Sequence, residues 1–189
     1  DPRMRATYVI PEGGGGAAGL AGCAAIMSAL RAQADLRRAT ICVACGTGTT
    51  LAGLLSESAA GEQLLGFAAL KLGDQLPEFR AEVEAQLGNK PVGAQWDIRD
   101  DSTFGGFGKT DARLFAFMQD FEAATGVLLD PVYTAKMLFQ VVRMAEAGCW
   151  PAGHEIIVVH TGGLQGRRGY TELTHKDFIN MATDPAYNT

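Results

Sequence analysis

The chain is 189 residues long, 47% hydrophobic and 20% charged, with a formal net charge of −5. Such a composition suits one well-buried globular core. The lack of any basic stripe argues against nucleic-acid binding, and no stretch is long and apolar enough to span a bilayer.

Apolar patterning then alternates along the chain. Ala6-Thr7-Tyr8-Val9-Ile10 reads as a strand ended by Pro11, followed by a glycine loop over 13–16 and an alanine-rich helix over 17–31. A second strand is expected over 40–44, and a helix over 51–58 after a glycine/threonine loop. The apolar run 64–70 reads as a strand covered on both faces. An amphipathic helix over 76–87 and a short strand over 95–98 follow. After a glycine-rich loop at Phe104-Gly105-Gly106-Phe107-Gly108, a helix over 111–125 has Thr110 or Asp111 as its cap and Gly126 as its stop. Asp130-Pro131-Val132-Tyr133 is a turn leading into a helix over 134–147, and 155–160 is the last strand. The tail from Gly166 reads as a polar surface cap. Strand–helix alternation predicts an α/β fold, a mostly parallel twisted sheet with helices on both faces, in a single domain over 1–189.

In such sheets ligands sit beyond the carboxyl ends of the strands. The glycine-rich loops 12–16, 46–50, 104–109 and 161–163 all fall at that edge. The most telling is Gly46-Thr47-Gly48-Thr49-Thr50, where a strand meets a helix start. Free N–H groups at a helix N-terminus, bare glycine backbone and hydroxyls suit a phosphate. Without a Gly-Lys-Ser/Thr ending it is not a nucleotide P-loop.

Other motifs have plainer readings. Gly14-Gly15-Gly16-Ala17-Ala18-Gly19 satisfies the dinucleotide pattern, but the next strand ends at Ala44-Cys45-Gly46 without the ribose-binding carboxylate. An NAD site is therefore the weaker alternative to a closely packed turn. Cys42 and Cys45 read as strand residues rather than a metal pair, and Cys23 and Cys149 as small apolar residues; together they fit a reducing, cytoplasmic compartment. No metal site is expected. His160 reads as a core histidine at the end of a buried strand, Tyr133 as a packing tyrosine, and Lys136 as a side chain that snorkels from an apolar helix. Lys109 has no distinctive setting.

Five segments in order resemble the 1-aminocyclopropane-1-carboxylate deaminase/D-cysteine desulfhydrase family of pyridoxal-phosphate enzymes, which share the tryptophan-synthase-β fold type. They are Ile10-Pro11-Glu12-Gly13-Gly14, Cys45-Gly46-Thr47-Gly48-Thr49-Thr50-Leu51-Ala52-Gly53, Phe104-Gly105-Gly106-Phe107-Gly108-Lys109, Leu129-Asp130-Pro131-Val132-Tyr133-Thr134-Ala135-Lys136 and His160-Thr161-Gly162-Gly163. The resemblance implies pyridoxal 5'-phosphate as cofactor and a small amino acid as substrate, in a cytoplasmic homodimer. Gly46, Thr47, Gly48, Thr49 and Thr50 would cradle the cofactor phosphate. Thr134 would face the pyridine nitrogen, Thr161 would line the cofactor ring, and Tyr133 would be the active-site tyrosine.

Thr134 stands where the deaminase branch has glutamate, which favours β-elimination of a good leaving group over opening of a cyclopropane ring. Phe107, in the substrate pocket, replaces the family's usual tyrosine and lacks its phenol. Gly15-Gly16 replaces a more polar pair. The family's Schiff-base lysine lies upstream in a Gly-Asn-Lys segment, and the one such run here, Gly88-Asn89-Lys90, is out of family order. The expectation is a C-terminal portion of the large domain, without the N-terminal section and smaller domain. Alone it would bind the cofactor weakly and turn over nothing. The alternative is a non-catalytic module for a phosphorylated ligand, or a subunit completed by a partner.

Overall fold

The structure, a computed structural model, describes residues 9–170. Four strands form one sheet, β1 (Ala39–Cys45), β2 (Gln63–Ala68), β3 (Gln95–Arg99) and β4 (Glu155–Val159), in the order β3-β2-β1-β4. All three pairings are parallel. Among the described residues five α-helices accompany them: α1 (Ala17–Arg31), α2 (Thr49–Ser56), α3 (Leu76–Leu87), α4 (Ala112–Thr125) and α5 (Thr134–Glu146).

Side chains alternate across the central strand, so β1 feeds two cores. Ile41, Val43 and Cys45 pack with Leu64 and Ile98 against α1, α2 and α3. Cys42 on the opposite face packs with Phe67 against Met137, Val141 and Met144 of α5. Helix α4 lies over α5 through Leu114 and Met118. The result is the expected three-layer α/β fold. Register sets Ile41 beside Leu64 and Val43 beside Gly66; a Cβ on Gly66 would stand 2.6 Å from Leu51 Cδ2, so the bare glycine lets α2 settle onto the sheet. Gly53 does the same between helices, since its Cβ would meet Cys23 Cβ at 2.4 Å.

The helix signals act as written. Asp111 accepts from the N–H groups of Arg113 and Leu114 and starts α4, and Gly126 closes it with φ 74°. Helix α2 starts at Thr49, two residues before the apolar pattern begins. Some expectations need correcting. The part of the 6–10 strand up to Tyr8 lies outside the described residues, and Val9 and Ile10 carry no regular structure. Strand β4 is only half-buried, because it is an edge strand. Its successor His160 is exposed, and its ring nitrogens serve Leu128 O and the Gly162 N–H. The tail past Gly166 is not simply a polar cover: Arg167 is 2% exposed and pairs with Glu122. Tail residues 171–189 lie outside the described residues.

Cys42 and Cys45 sit three apart on one strand and face opposite cores, and burial pushes both thiols up to about 12. Among the described residues no group of three or more His, Cys, Asp or Glu side chains could hold a metal, and no helix is long and apolar enough to cross a membrane.

Candidate active site

The carboxyl edge of the sheet opens into a crevice of about 1020 Å³. The turn 46–50 after β1 forms its floor, Tyr133 and Phe107 one wall, and Thr161 with Gly162 and Gly163 after β4 another. Glu12 and Gly13 approach from the N-terminal loop. Four loops that the sequence places at one sheet edge therefore meet in one cavity.

The floor is built for close approach. Gly48 has φ 78°, and a Cβ there would lie 2.5 Å from Val83 Cγ2. It is the N-cap of α2 and offers no side chain, so the first-turn N–H groups of that helix have no side-chain cap. That leaves donors and a positive dipole end facing the crevice. The Thr47 and Thr49 hydroxyls lie 3.2 Å apart. Gln86 of α3 locks them: its amide donates to Thr47 O at 2.9 Å, and Thr49 Oγ1 donates to Gln86 Oε1 at 2.9 Å. Sequence reading missed Gln86. Its signal is its place on the α3 stripe Phe79, Val83, Gln86, one face of a helix whose first two members pack under Gly48.

The wall depends on Asp130. This carboxylate is 1% exposed. Its Oδ1 accepts from the N–H groups of Val132 and Tyr133, and its Oδ2 from the N–H and the hydroxyl of Thr134. The expected turn is thus the buried cap that starts α5 and fixes the backbone of Tyr133. The Tyr133 ring lies beneath Gly46, where a Cβ would come within 3.2 Å of Cε1. Phe107 meets it edge-to-face at 5.8 Å between centroids. Burial pushes the Tyr133 phenol up, and the carboxylates of Asp130 and Glu12 add to that. It is therefore a protonated donor at neutral pH.

Thr134 is the exception among the expected site residues. It is wholly buried, outside the crevice lining, and its hydroxyl donates to Asp130 Oδ2 at 2.7 Å. The physical reason is position: as the first residue of α5 it gives both its N–H and its hydroxyl proton to the Asp130 carboxylate.

Lys136 also differs from expectation. It does not snorkel; it is 2% exposed, with Nζ donating to Gly106 O at 2.7 Å and Thr103 O at 2.8 Å. Burial pulls its ammonium from 10.5 down to about 8, with Asp130 pulling it back up. The sign follows from proton counting. Between pH 8 and 10 the unfolded lysine still holds a proton that the folded one has released, so stability rises with pH. Unfolding free energy measured across that window should climb by up to about 1.4 kcal/mol per pH unit from this group. The Lys136→Met chain should lose that slope. Lys109 is exposed on the glycine loop.

The glycine run at 14–19 reads structurally as close packing. A Cβ on Gly19 would strike Gly14 O at 1.8 Å, and one on Gly13 would strike Thr47 Oγ1 at 2.0 Å. Such close approaches bring the N-terminal loop onto the 46–50 turn.

No protein-family model matches the chain. It is 30% identical over 175 residues to a putative 1-aminocyclopropane-1-carboxylate deaminase of Pyrococcus horikoshii, covering 88% of this chain and 52% of that protein. It is 30% identical over 171 residues to the D-cysteine desulfhydrase of Klebsiella pneumoniae, covering 86% and 52%. A mitochondrial bifunctional D-cysteine desulfhydrase/1-aminocyclopropane-1-carboxylate deaminase of Arabidopsis thaliana matches at 30% identity, over 84% of this chain and 42% of that protein. A solved structure of an ACC deaminase homologue superposes with a TM-score of 0.66 at 28% identity, covering 85% of this chain and 50% of that one. The chain is a relative of the 1-aminocyclopropane-1-carboxylate deaminase/D-cysteine desulfhydrase family. It spans about half the length of the family members it matches.

Proposed function

We propose that this chain provides the phosphate- and ring-binding part of a pyridoxal-phosphate-dependent lyase or deaminase acting on a small amino acid. The observation that carries the reading is the meeting of the 46–50 turn, Tyr133 and Thr161 in one crevice. The floor fits a phosphoryl group: an uncapped helix start and a left-handed Gly48 leave the first-turn N–H groups of α2 without a side-chain partner at the cap, while Gln86 holds the Thr47–Thr49 pair beside them. Gly46, Thr47, Gly48, Thr49 and Thr50 would hold the phosphate. Tyr133 and Thr161 would flank the ring, and Phe107 would border the substrate. Thr134 has no part in this assignment, because its hydroxyl is spent on Asp130.

When bound, pyridoxal phosphate supplies an electron sink for breaking bonds at a substrate's α-carbon. The chain's own residues do the rest. The floor anchors the phosphoryl tail, the two rings exclude water from one side, and Tyr133 keeps a proton on its hydroxyl oxygen within the wall. Phe107 brings no second phenol. That favours elimination of a β-leaving group, as from D-cysteine, over cyclopropane ring opening with its extra proton movements. A reading as a phosphate-ligand module or a subunit completed by a partner is favoured by one observation: no lysine lines the crevice among the described residues.

Titration of the chain with pyridoxal phosphate and with pyridoxal, followed by tyrosine and cofactor absorbance, tests the site. Binding should weaken about tenfold or more without the phosphate, which corresponds to about 1.4 kcal/mol. Equal affinity for the two would sink the assignment of the floor. Intact mass after borohydride reduction separates the readings: a pyridoxyl adduct would place an imine-forming lysine on this chain, and no adduct beside measurable binding favours the module.

A further inference from the structure

Two rings form the crevice wall, and they come from different segments. Tyr133 opens α5, held by Asp130. Phe107 belongs to a turn whose backbone is unusual: Phe104 has φ 54° and Gly106 has φ 123°. A non-glycine residue at positive φ is strained, and such strain persists only where surroundings impose it. Phe107 itself is 56% exposed, so burial of its own ring does not fix the turn.

What grips the turn is Lys136. It lies three residues beyond Tyr133, in the first turn of α5, and its ammonium reaches the backbone of the 103–106 turn. Gly106 O and Thr103 O accept from Nζ at 2.7 and 2.8 Å, and Ala69 O, just past the end of β2, stands at 3.5 Å. Three carbonyls from two segments thus converge on one group with three donors, an arrangement that a small free ammonium ion would satisfy equally. The charge that acts on it is the Asp130 carboxylate at the helix start.

We propose that Lys136 is a positioning residue of the crevice, a tethered ammonium that clamps the 103–106 turn to the end of β2 and so sets Phe107 edge-on to Tyr133. It would touch neither cofactor nor substrate. Its effect on ligand binding rests on the reading of the crevice given above, whereas its effect on the ring pair does not.

The test uses the isotope-labelled chain and its Lys136→Met variant. The readouts are the ring-to-ring nuclear Overhauser contact of Phe107 with Tyr133 and the affinity for pyridoxal phosphate. The variant should keep the sheet-core resonances, lose most of the ring contact and bind the ligand about tenfold more weakly. Ammonium chloride should restore the contact in part, and tetramethylammonium chloride at matched ionic strength should not, because the larger ion has no N–H donors. An undiminished ring contact in the variant overturns the proposal. So does a lost contact that ammonium restores no better than tetramethylammonium. If the variant does not fold, the wild-type Lys136 Nζ signal decides: protection from exchange with couplings to the Thr103 and Gly106 carbonyls supports the clamp, and free exchange overturns it. Failure of the wild-type chain to bind pyridoxal phosphate would remove the ligand reading, and the ring contact alone would then decide the role of Lys136.

Discussion

Replacing Asp130 by alanine should cost about 3 kcal/mol of folding stability. The carboxylate is 1% exposed and accepts from three backbone N–H groups and one hydroxyl. Alanine leaves four donors without that acceptor, the two of Thr134 buried and those of Val132 and Tyr133 half-buried, a loss greater than that of an exposed helix cap. Asp130→Asn sorts the contributions. Its amide oxygen can still serve Val132 and Tyr133, while the amide nitrogen cannot accept from Thr134. It should cost about half as much. Urea unfolding reads both through the midpoint at constant slope. Because Gly163 packs its backbone against this carboxylate, with a Cβ there only 3.4 Å away, the Thr161 turn should loosen too. A cost below about 1 kcal/mol for the alanine variant would mean that the cap is not what starts α5.

Gly48→Val should nearly abolish binding of pyridoxal phosphate, by about a hundredfold or more. Two penalties coincide at this position. Valine resists φ 78°, and its Cβ would sit 2.5 Å from Val83 Cγ2. Strain and overpacking together should destabilise the fold by about 3 kcal/mol, and relief requires moving the helix start whose N–H groups form the floor. Gly14→Ala is the control. It has a similar φ of 69° but open space around its Cβ, so it carries strain alone. It should cost about 1 kcal/mol and leave binding nearly intact. Comparable ligand loss in both variants would show that the floor is not the phosphate seat.

The sequence was most legible where local chemistry decides. Periodicity set the bounds of α1 and α3 at the residues observed, and Asp111 with Gly126 delimited α4. It was less legible where one residue serves a distant segment. Helix α2 begins before its apolar pattern because glycine at the cap, not hydrophobic spacing, sets the start. A lysine on an apolar helix face ordinarily extends to water. Lys136 does not, because carbonyls 30 and 33 residues away in the chain await it, which periodicity does not reveal. Gln86 likewise acts across 37 and 39 residues. The convergence of loops at one sheet edge was readable because it follows from strand direction. The bond of the Thr134 hydroxyl to Asp130 was not, because it depends on how the preceding turn folds its carboxylate back onto the helix start.

Glu12, Glu78 and Glu82 are the charged side chains lining the crevice among the described residues. A phosphorylated ligand of the kind proposed above would meet a repelling field at long range and attraction only close in, from the N–H groups and dipole of the α2 start. Discrimination there is consequently a matter of shape and close fit. Stray anions in the surrounding medium would gain little foothold, and added salt, by muting the repulsion, should ease entry of the proposed one.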